Sequence, residues 1–100
     1  MATLHSIQHS LDDQNWLTRC LASVSENDGI ILLEDAVLIS CHLPTLSQLS
    51  TLNIKLNFYV IDVDLKARGL LNQFDQKFTL ISYQEFVELT LYYDKLVNWA

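Results

Sequence analysis

Four carboxylates fall in two short stretches of this chain, Glu34-Asp35 and Asp62-Val63-Asp64. Oxygen ligands of that kind suit a hard cation such as Mg²⁺, and a phosphoacceptor site of the receiver type has the same look. The competing reading is that Asp35 and Asp62 or Asp64 cap the helices that begin there. The capping reading is the one carried forward, because the acidic pair follows the second strand and the first strand ends with no carboxylate. Neither a metal nor another cofactor is expected, and calorimetry with Mg²⁺ or nucleotides is expected to show no binding.

Two thiols are present, Cys20 and Cys41. A sulfur-carrying cysteine needs an exposed sulfur with a lowered pKa, and the one base near Cys20 is Arg19. Cys20 also lies three residues after Leu17 and four before Val24, partly on an apolar helical stripe, where it reads as a small buried hydrophobe. It is the one thiol candidate for catalysis. Cys41, at a helix break beside His42, reads as a packing or surface cysteine. His5 and His9 have the four-residue spacing of metal ligands on a helix, but they fall on a strand and the loop after it, where that spacing brings no convergence. His42 is distant in sequence, so no metal site is expected. No GxSxG, P-loop, GxGxxG or HExxH pattern occurs. Trp16, Tyr92, Tyr93 and Trp99 are amphipathic aromatics of the kind enriched at protein interfaces. Core filling competes with that reading, least of all for Trp99, one residue from the end of the sequence.

The elements that must position these residues are legible as apolar segments. Residues 3–7, 30–33, 54–61 and 78–81 read as strands, with 30–33 the continuous apolar run of a doubly buried parallel strand. Their centres, near 4, 31, 58 and 80, lie about 27, 27 and 22 residues apart, too far for hairpins and right for β-crossover-β units. Residues 13–25 form an amphipathic helix capped by Asp12 or Asp13 and stopped at Gly29. Residues 36–52 read as a helix interrupted by Pro44, and 63–68 as a short turn of helix closed by Gly69. Ser82-Tyr83-Gln84-Glu85 is a capping box, after which Phe86, Leu89 or Thr90, Tyr93 and Val97 recur at helical spacing. The fold class is α/β: a small three-layer sandwich on a mostly parallel four-stranded sheet, spanning residues 1–100 as one domain. Arg68 is expected to bind Asp62 or Asp64 as a structural ion pair.

Composition narrows the function further. The chain has 100 residues, half of them hydrophobic and 18% charged, with two Gly and one Pro. The apolar share excludes disorder, and a low charge fraction suits a surface covered by partners. The net charge is −6, and residues 1–50 carry one base, Arg19, against six acids. With no basic stripe, direct grip on nucleic acid is not expected. No signal peptide or membrane span is read, so the expectation is a reduced, cytoplasmic, soluble protein.

Several segments, taken in order, resemble the TusB/DsrH family of sulfur-relay subunits. Leu4-His5-Ser6-Ile7…Ser10 is similar to L-H-T-[LV]-x-x-S-P, and Ile31-Leu32-Leu33-Glu34-Asp35-Ala36-Val37 to L-L-L-x-D-G-V. Tyr59-Val60-Ile61-Asp62-Val63-Asp64-Leu65-Lys66-Ala67-Arg68-Gly69 is similar to Y-x-L-x-x-D-L-x-A-R-G. Tyr83 to Thr90 is similar to D-Y-x-x-F-V-x-L-T, and Trp99 stands where the family ends in tryptophan. Leu11, Ala36 and Ser82 depart from the family's proline, glycine and aspartate, and residues 40–53 match nothing. The resemblance implies a DsrE/F/H-like fold and a non-catalytic subunit of a heterohexamer, two copies each with TusC-like and TusD-like chains. Such a complex takes persulfide sulfur from a TusA-like carrier and passes it to a TusE-like one. The sulfur ends in 2-thiouridine at the wobble position of tRNA, and the reactive cysteine is the TusD-like chain's. The same resemblance leaves open a DsrH-type role in sulfur oxidation, because some DsrH chains carry a cysteine at the Cys20 position.

Overall fold

The computed structural model describes residues 2–8, 15–52 and 54–99, with the backbone alone for 15–18. Expectations for His9, Ser10, Leu11, the Asp12 or Asp13 cap and the side chains of Trp16 and Leu17 lie outside the described residues.

The strands are β1 (Thr3–Ile7), β2 (Gly29–Leu32), β3 (Asn57–Ile61), β4 (Phe78–Ile81) and β5 (Lys95–Asn98). They form one sheet in the order β4-β3-β2-β1-β5, and every pairing is parallel. The helices are α1 (Asn15–Ser23), a 3₁₀ segment (Glu34–Cys41), α2 (Leu43–Ser50), α3 (Asp62–Ala67) and α4 (Tyr83–Tyr92).

Strand order decides which face each helix covers. From β1 to β4 each crossover steps one strand in the same direction, so right-handed connections place α1, the 3₁₀ segment, α2 and α3 on one face. The return from β4 to β5 runs the other way and puts α4 on the opposite face. Side-chain alternation obeys this division. Ile7, Ile30, Leu32, Val60 and Phe78 meet Cys20, Val37, Leu46, Leu49 and Leu65 on the crowded face. Leu4, Ile31, Leu33, Ile61 and Ile81 meet Phe86, Leu89 and Tyr93 on the other. β2 is buried throughout, which is why its sequence is apolar at every side-chain-bearing position.

Four expectations change. The sheet has five strands rather than four, because the last helix stops at Tyr92 instead of running through Val97. Tyr93 leaves the helix with φ −81° and ψ 147°. Asp94 then clamps the turn: its N–H donates to the Ala2 carbonyl at 2.9 Å and its carboxylate accepts from the Ala2 N–H at 2.9 Å. Lys95–Asn98 can therefore pair with the free edge of β1. The third strand starts at Asn57 rather than at 54. Pro44 also does not interrupt a helix. The break is at His42, whose Nδ1 accepts from the Thr45 N–H at 3.3 Å, and Pro44 sits in the first turn of α2, where no N–H is needed.

Two local features hold as read. The capping box closes through Glu85 N–H to Ser82 Oγ at 3.1 Å and Ser82 N–H to Glu85 Oε1 at 3.0 Å. Gly69, at φ +68°, ends α3, with its N–H on the Lys66 carbonyl and the Leu70 N–H on the Leu65 carbonyl.

Gly29 is required for a different reason, close approach. A Cβ there would lie 2.6 Å from the Tyr93 hydroxyl and 2.9 Å from Leu4 Cδ1. That hydroxyl also lies 3.0 Å from Tyr59 Oη and accepts from Asn57 Nδ2 at 3.2 Å. Gly29→Ala is expected to displace Tyr93 from this cluster and lower unfolding free energy by about 1–3 kcal/mol, read from denaturant midpoints.

Candidate functional site

In an open parallel sheet, loops beyond the carboxyl ends of the strands are where a site is built. Here those loops are joined by polar contacts. Asp64, early in α3, accepts from the Glu34 N–H at 2.7 Å and from the Tyr83 hydroxyl at 2.6 Å. One carboxylate thus ties the loops after β2, β3 and β4 together. It also stabilises Glu34 at φ 50°, a left-handed backbone that a non-glycine residue adopts at a cost. Burial, then the bond to Asp64 and its charge, pushes the Tyr83 hydroxyl up to about 12.

Arg68 completes the set, although not with the partner expected. Its Nη2 and Nε donate to Asp35 Oδ1 at 2.6 and 3.2 Å, and its Nη1 donates to the backbone carbonyl of Asp64 at 3.0 Å. The predicted pairing with the Asp62 or Asp64 carboxylate gives way because the C-cap position of Arg68 aims the guanidinium back over its own helix toward the 3₁₀ segment. Asp62 is not in the network. Its carboxylate accepts from the neighbouring Val63 N–H and borders a hollow of about 290 Å³ with Lys66, Leu71 and Leu80.

The capping expectation is therefore corrected as well. The N-caps of the 3₁₀ segment and of α3 are Leu33 and Ile61, neither with a side-chain bond, and Asp64 supplies the missing acceptor for the 3₁₀ segment from another element. Among the described residues no three His, Cys, Asp or Glu side chains converge on one point that could hold a metal.

The thiols lie elsewhere. Cys20 is fully buried in the core of the crowded face, and burial, then the negative charge of Asp28, pushes its thiol up to about 12. Cys41 is half-buried, its sulfur 3.7 Å from the Ser40 hydroxyl. His42 serves as the cap of α2.

His5 belongs to a cluster that sequence reasoning did not assemble. Its Nε2 lies 2.9 Å from Asp28 Oδ2, and both side chains are 4% exposed. Asp28 also accepts from the Thr3 and Ser25 N–H groups at 2.9 and 3.0 Å. On the far side of the ring, Trp99 Nε1–H donates to His5 Nδ1 at 2.9 Å. Trp99 is thus half-buried against the core rather than free for a partner. Tyr93 is buried too, whereas Tyr92 stands exposed, at 78%. Tyr92 rims an open groove of about 370 Å³ between α4 and the β3–β4 pair, with Tyr59, Glu85 and Glu88 along it. Parallel pairing sets Leu4 beside Gly29 and so brings Asp28 to His5. That register was the signal, and it is invisible until strand partners are known.

Two outcomes follow. Arg68→Ala is expected to lower stability by about 1 kcal/mol, because the pair is partly exposed and its carbonyl contact is the better shielded part; thermal unfolding reads it. Burial pushes the Asp28 carboxyl up, but the bonds from His5, Thr3 and Ser25 outweigh it and hold it below the ordinary value. Its contribution is present above about pH 4, the unfolded value, and is lost as pH falls through the lower folded value. Asp28→Asn should lower stability at pH 7 by about 1–3 kcal/mol, with the gap to the native chain closing below about pH 4.

Similarity to known proteins agrees with this fold. The E. coli ychN crystal structure superposes with a TM-score of 0.72 over 98% of this chain and 99% of that one, at 13% identity, a likeness of fold. Protein TusB of Serratia proteamaculans (strain 568) is 37% identical over 87 residues, covering 83% of this chain and 86% of that protein. Protein TusB of Yersinia pestis (strain Pestoides F) is 34% identical over 100 residues, covering 96% and 99%. Residues 9–96 match the family described as DsrH like protein. The chain belongs to the TusB/DsrH family.

Proposed function

We propose that this chain is a non-catalytic subunit of a cytoplasmic sulfur-relay complex, acting as one TusB/DsrH-like domain over residues 1–100. Its partners in this reading are TusC-like and TusD-like chains, two of each with two of this one. The complex receives persulfide sulfur from a TusA-like carrier and delivers it to a TusE-like one, toward 2-thiouridine at the tRNA wobble position. The reactive cysteine is assigned to the TusD-like partner, and this chain makes no direct contact with tRNA and none with a membrane. Among the described residues, no helix is long and apolar enough to cross a membrane.

The observation that carries the non-catalytic role is the state of Cys20. A persulfide carrier presents a thiolate to another protein, so its sulfur must be reachable and ionised near neutral pH. Cys20 has no exposed surface and its thiol is held at about 12. This weighs against the sulfur-oxidation alternative in which Cys20 itself carries sulfur. The lopsided cover of the sheet supports a subunit. α4 contributes no fully buried residue, and Val87, Leu91, Tyr92 and Leu96 are exposed around it. Apolar side chains concentrated in that way mark a docking surface.

Co-expression with TusC-like and TusD-like chains should yield one co-purifying complex. In it, Cys20→Ser is expected to leave persulfide transfer to the acceptor intact, with a packing penalty of about 1–2 kcal/mol. A persulfide trapped on Cys20, or transfer lost while the complex stays assembled, contradicts the reading. Leu91→Glu should abolish co-purification while changing the isolated chain's stability by less than about 0.5 kcal/mol, since Leu91 is 84% exposed.

A further inference from the structure

We propose that Trp99, His5 and Asp28 form a proton-operated latch that holds the edge strand β5 on the sheet and frees it when His5 takes a second proton. The inference is independent of the sulfur-relay reading.

The hydrogen-bond chemistry permits one arrangement. An indole nitrogen only donates, so His5 Nδ1, which receives the Trp99 N–H at 2.9 Å, must be the unprotonated nitrogen. The single ring proton then lies on Nε2 and is donated to Asp28 Oδ2 at 2.9 Å. The other tautomer would set two N–H groups against each other at Trp99 and two bare acceptors against each other at Asp28. A doubly protonated ring keeps the Asp28 contact, now as an ion pair, but turns Nδ1 from acceptor to donor. The Trp99 contact becomes N–H against N–H and is lost. The proton changes one side of the ring and leaves the other anchored, so the fold holds while the indole is released.

β5 is built to depend on that indole. It is an edge strand whose Lys95, Leu96 and Asn98 are exposed and whose Val97 is half-buried. Beyond its ladder with β1, it is tied at its start by Asp94 to Ala2 and at its end by the Trp99 N–H to the Ser6 carbonyl at 3.0 Å. Trp99 packs against the core of the crowded face and lies with its ring plane within 24° of the imidazole. Removing it leaves β5 little buried surface of its own.

The charged surroundings of His5 are few among the described residues. Asp28 faces Nε2. Lys95, exposed on β5, is paired with Thr3, two residues along β1 on the same side of the sheet as His5. Glu26 sits exposed on the turn before β2, its carboxylate on the Lys55 N–H. Cys20 on α1 senses Asp28 and stays a thiol. None offers a replacement acceptor to the indole. Histidine is the side chain whose ordinary charge change falls between about pH 5 and 8.

The test is amide and indole hydrogen exchange by ¹⁵N NMR between about pH 8 and 5, with the His5 ring followed in the same samples. As the ring gains its second proton, the Trp99 indole N–H and the β5 amides should lose protection, whereas β2 and β3 amides keep theirs. Trp99→Phe keeps an aromatic ring and removes the N–H; its β5 protection should be low at both ends of the range and independent of His5. In a Trp16→Phe background, Trp99 fluorescence should shift toward a water-exposed emission over the same interval. The proposal is overturned if the indole stays protected through the His5 transition. It is overturned equally if His5 takes no second proton before the whole fold is lost, or if β5 opening keeps its pH dependence in Trp99→Phe.

Discussion

The handedness of the β-crossover-β unit governs where everything else lies in this molecule. Three steps in one direction send three connections to the same face, and the single long return sends α4 alone to the other. One face therefore gains a thick core that swallows Cys20, Val37, Leu46 and Leu65. The other gains one helix across five strands and keeps Val87, Leu91 and Leu96 in contact with solvent. A thiol with no access and an apolar face with incomplete cover are two consequences of the same chain path.

The polar interactions are distributed to match. At the carboxyl ends of β2, β3 and β4, Asp64 and Arg68 knit loops together through a backbone N–H, a hydroxyl, a carbonyl and one carboxylate. The Asp35 and Asp64 carboxylates are engaged by these partners, which braces the loops against one another. On the crowded face, Asp28 accepts from a side chain and two backbone groups, which keeps a nearly inaccessible carboxylate charged. That charge in turn discourages the neighbouring Cys20 from ionising. Burial of the polar pair and inertness of the thiol are thus coupled.

A subunit of an assembly needs a firm interior and an unfinished exterior, and this chain has both. The buried strands and the capping box of α4 set the geometry of the exposed helix face without help from a partner. The outward side chains of that helix do no packing work within the chain. Val87 and Leu91 stand exposed there, and they are the surface that the proposed assembly would cover.

The parallel α/β architecture was legible because its signals are local: continuous apolar runs, strand spacing too long for hairpins, and a Ser82–Glu85 box whose members lie three residues apart. The family was legible in ordered short matches, and the buried state of Cys20 in its place on a helical stripe. What the sequence could not specify by itself was everything that depends on which strand lies beside which. Lys95–Asn98 carries a weak intrinsic pattern, and it became a strand because β1 had an edge free and Asp94 could clamp the turn. Asp28 found His5, and Trp99 found its other nitrogen, through contacts spanning 23 and 94 residues. Arg68 chose Asp35, 33 residues away, over carboxylates on its own helix. Local propensity acts over a few residues along the chain, whereas these pairings are decided by register and crossover hand, which exist only once the sheet has formed.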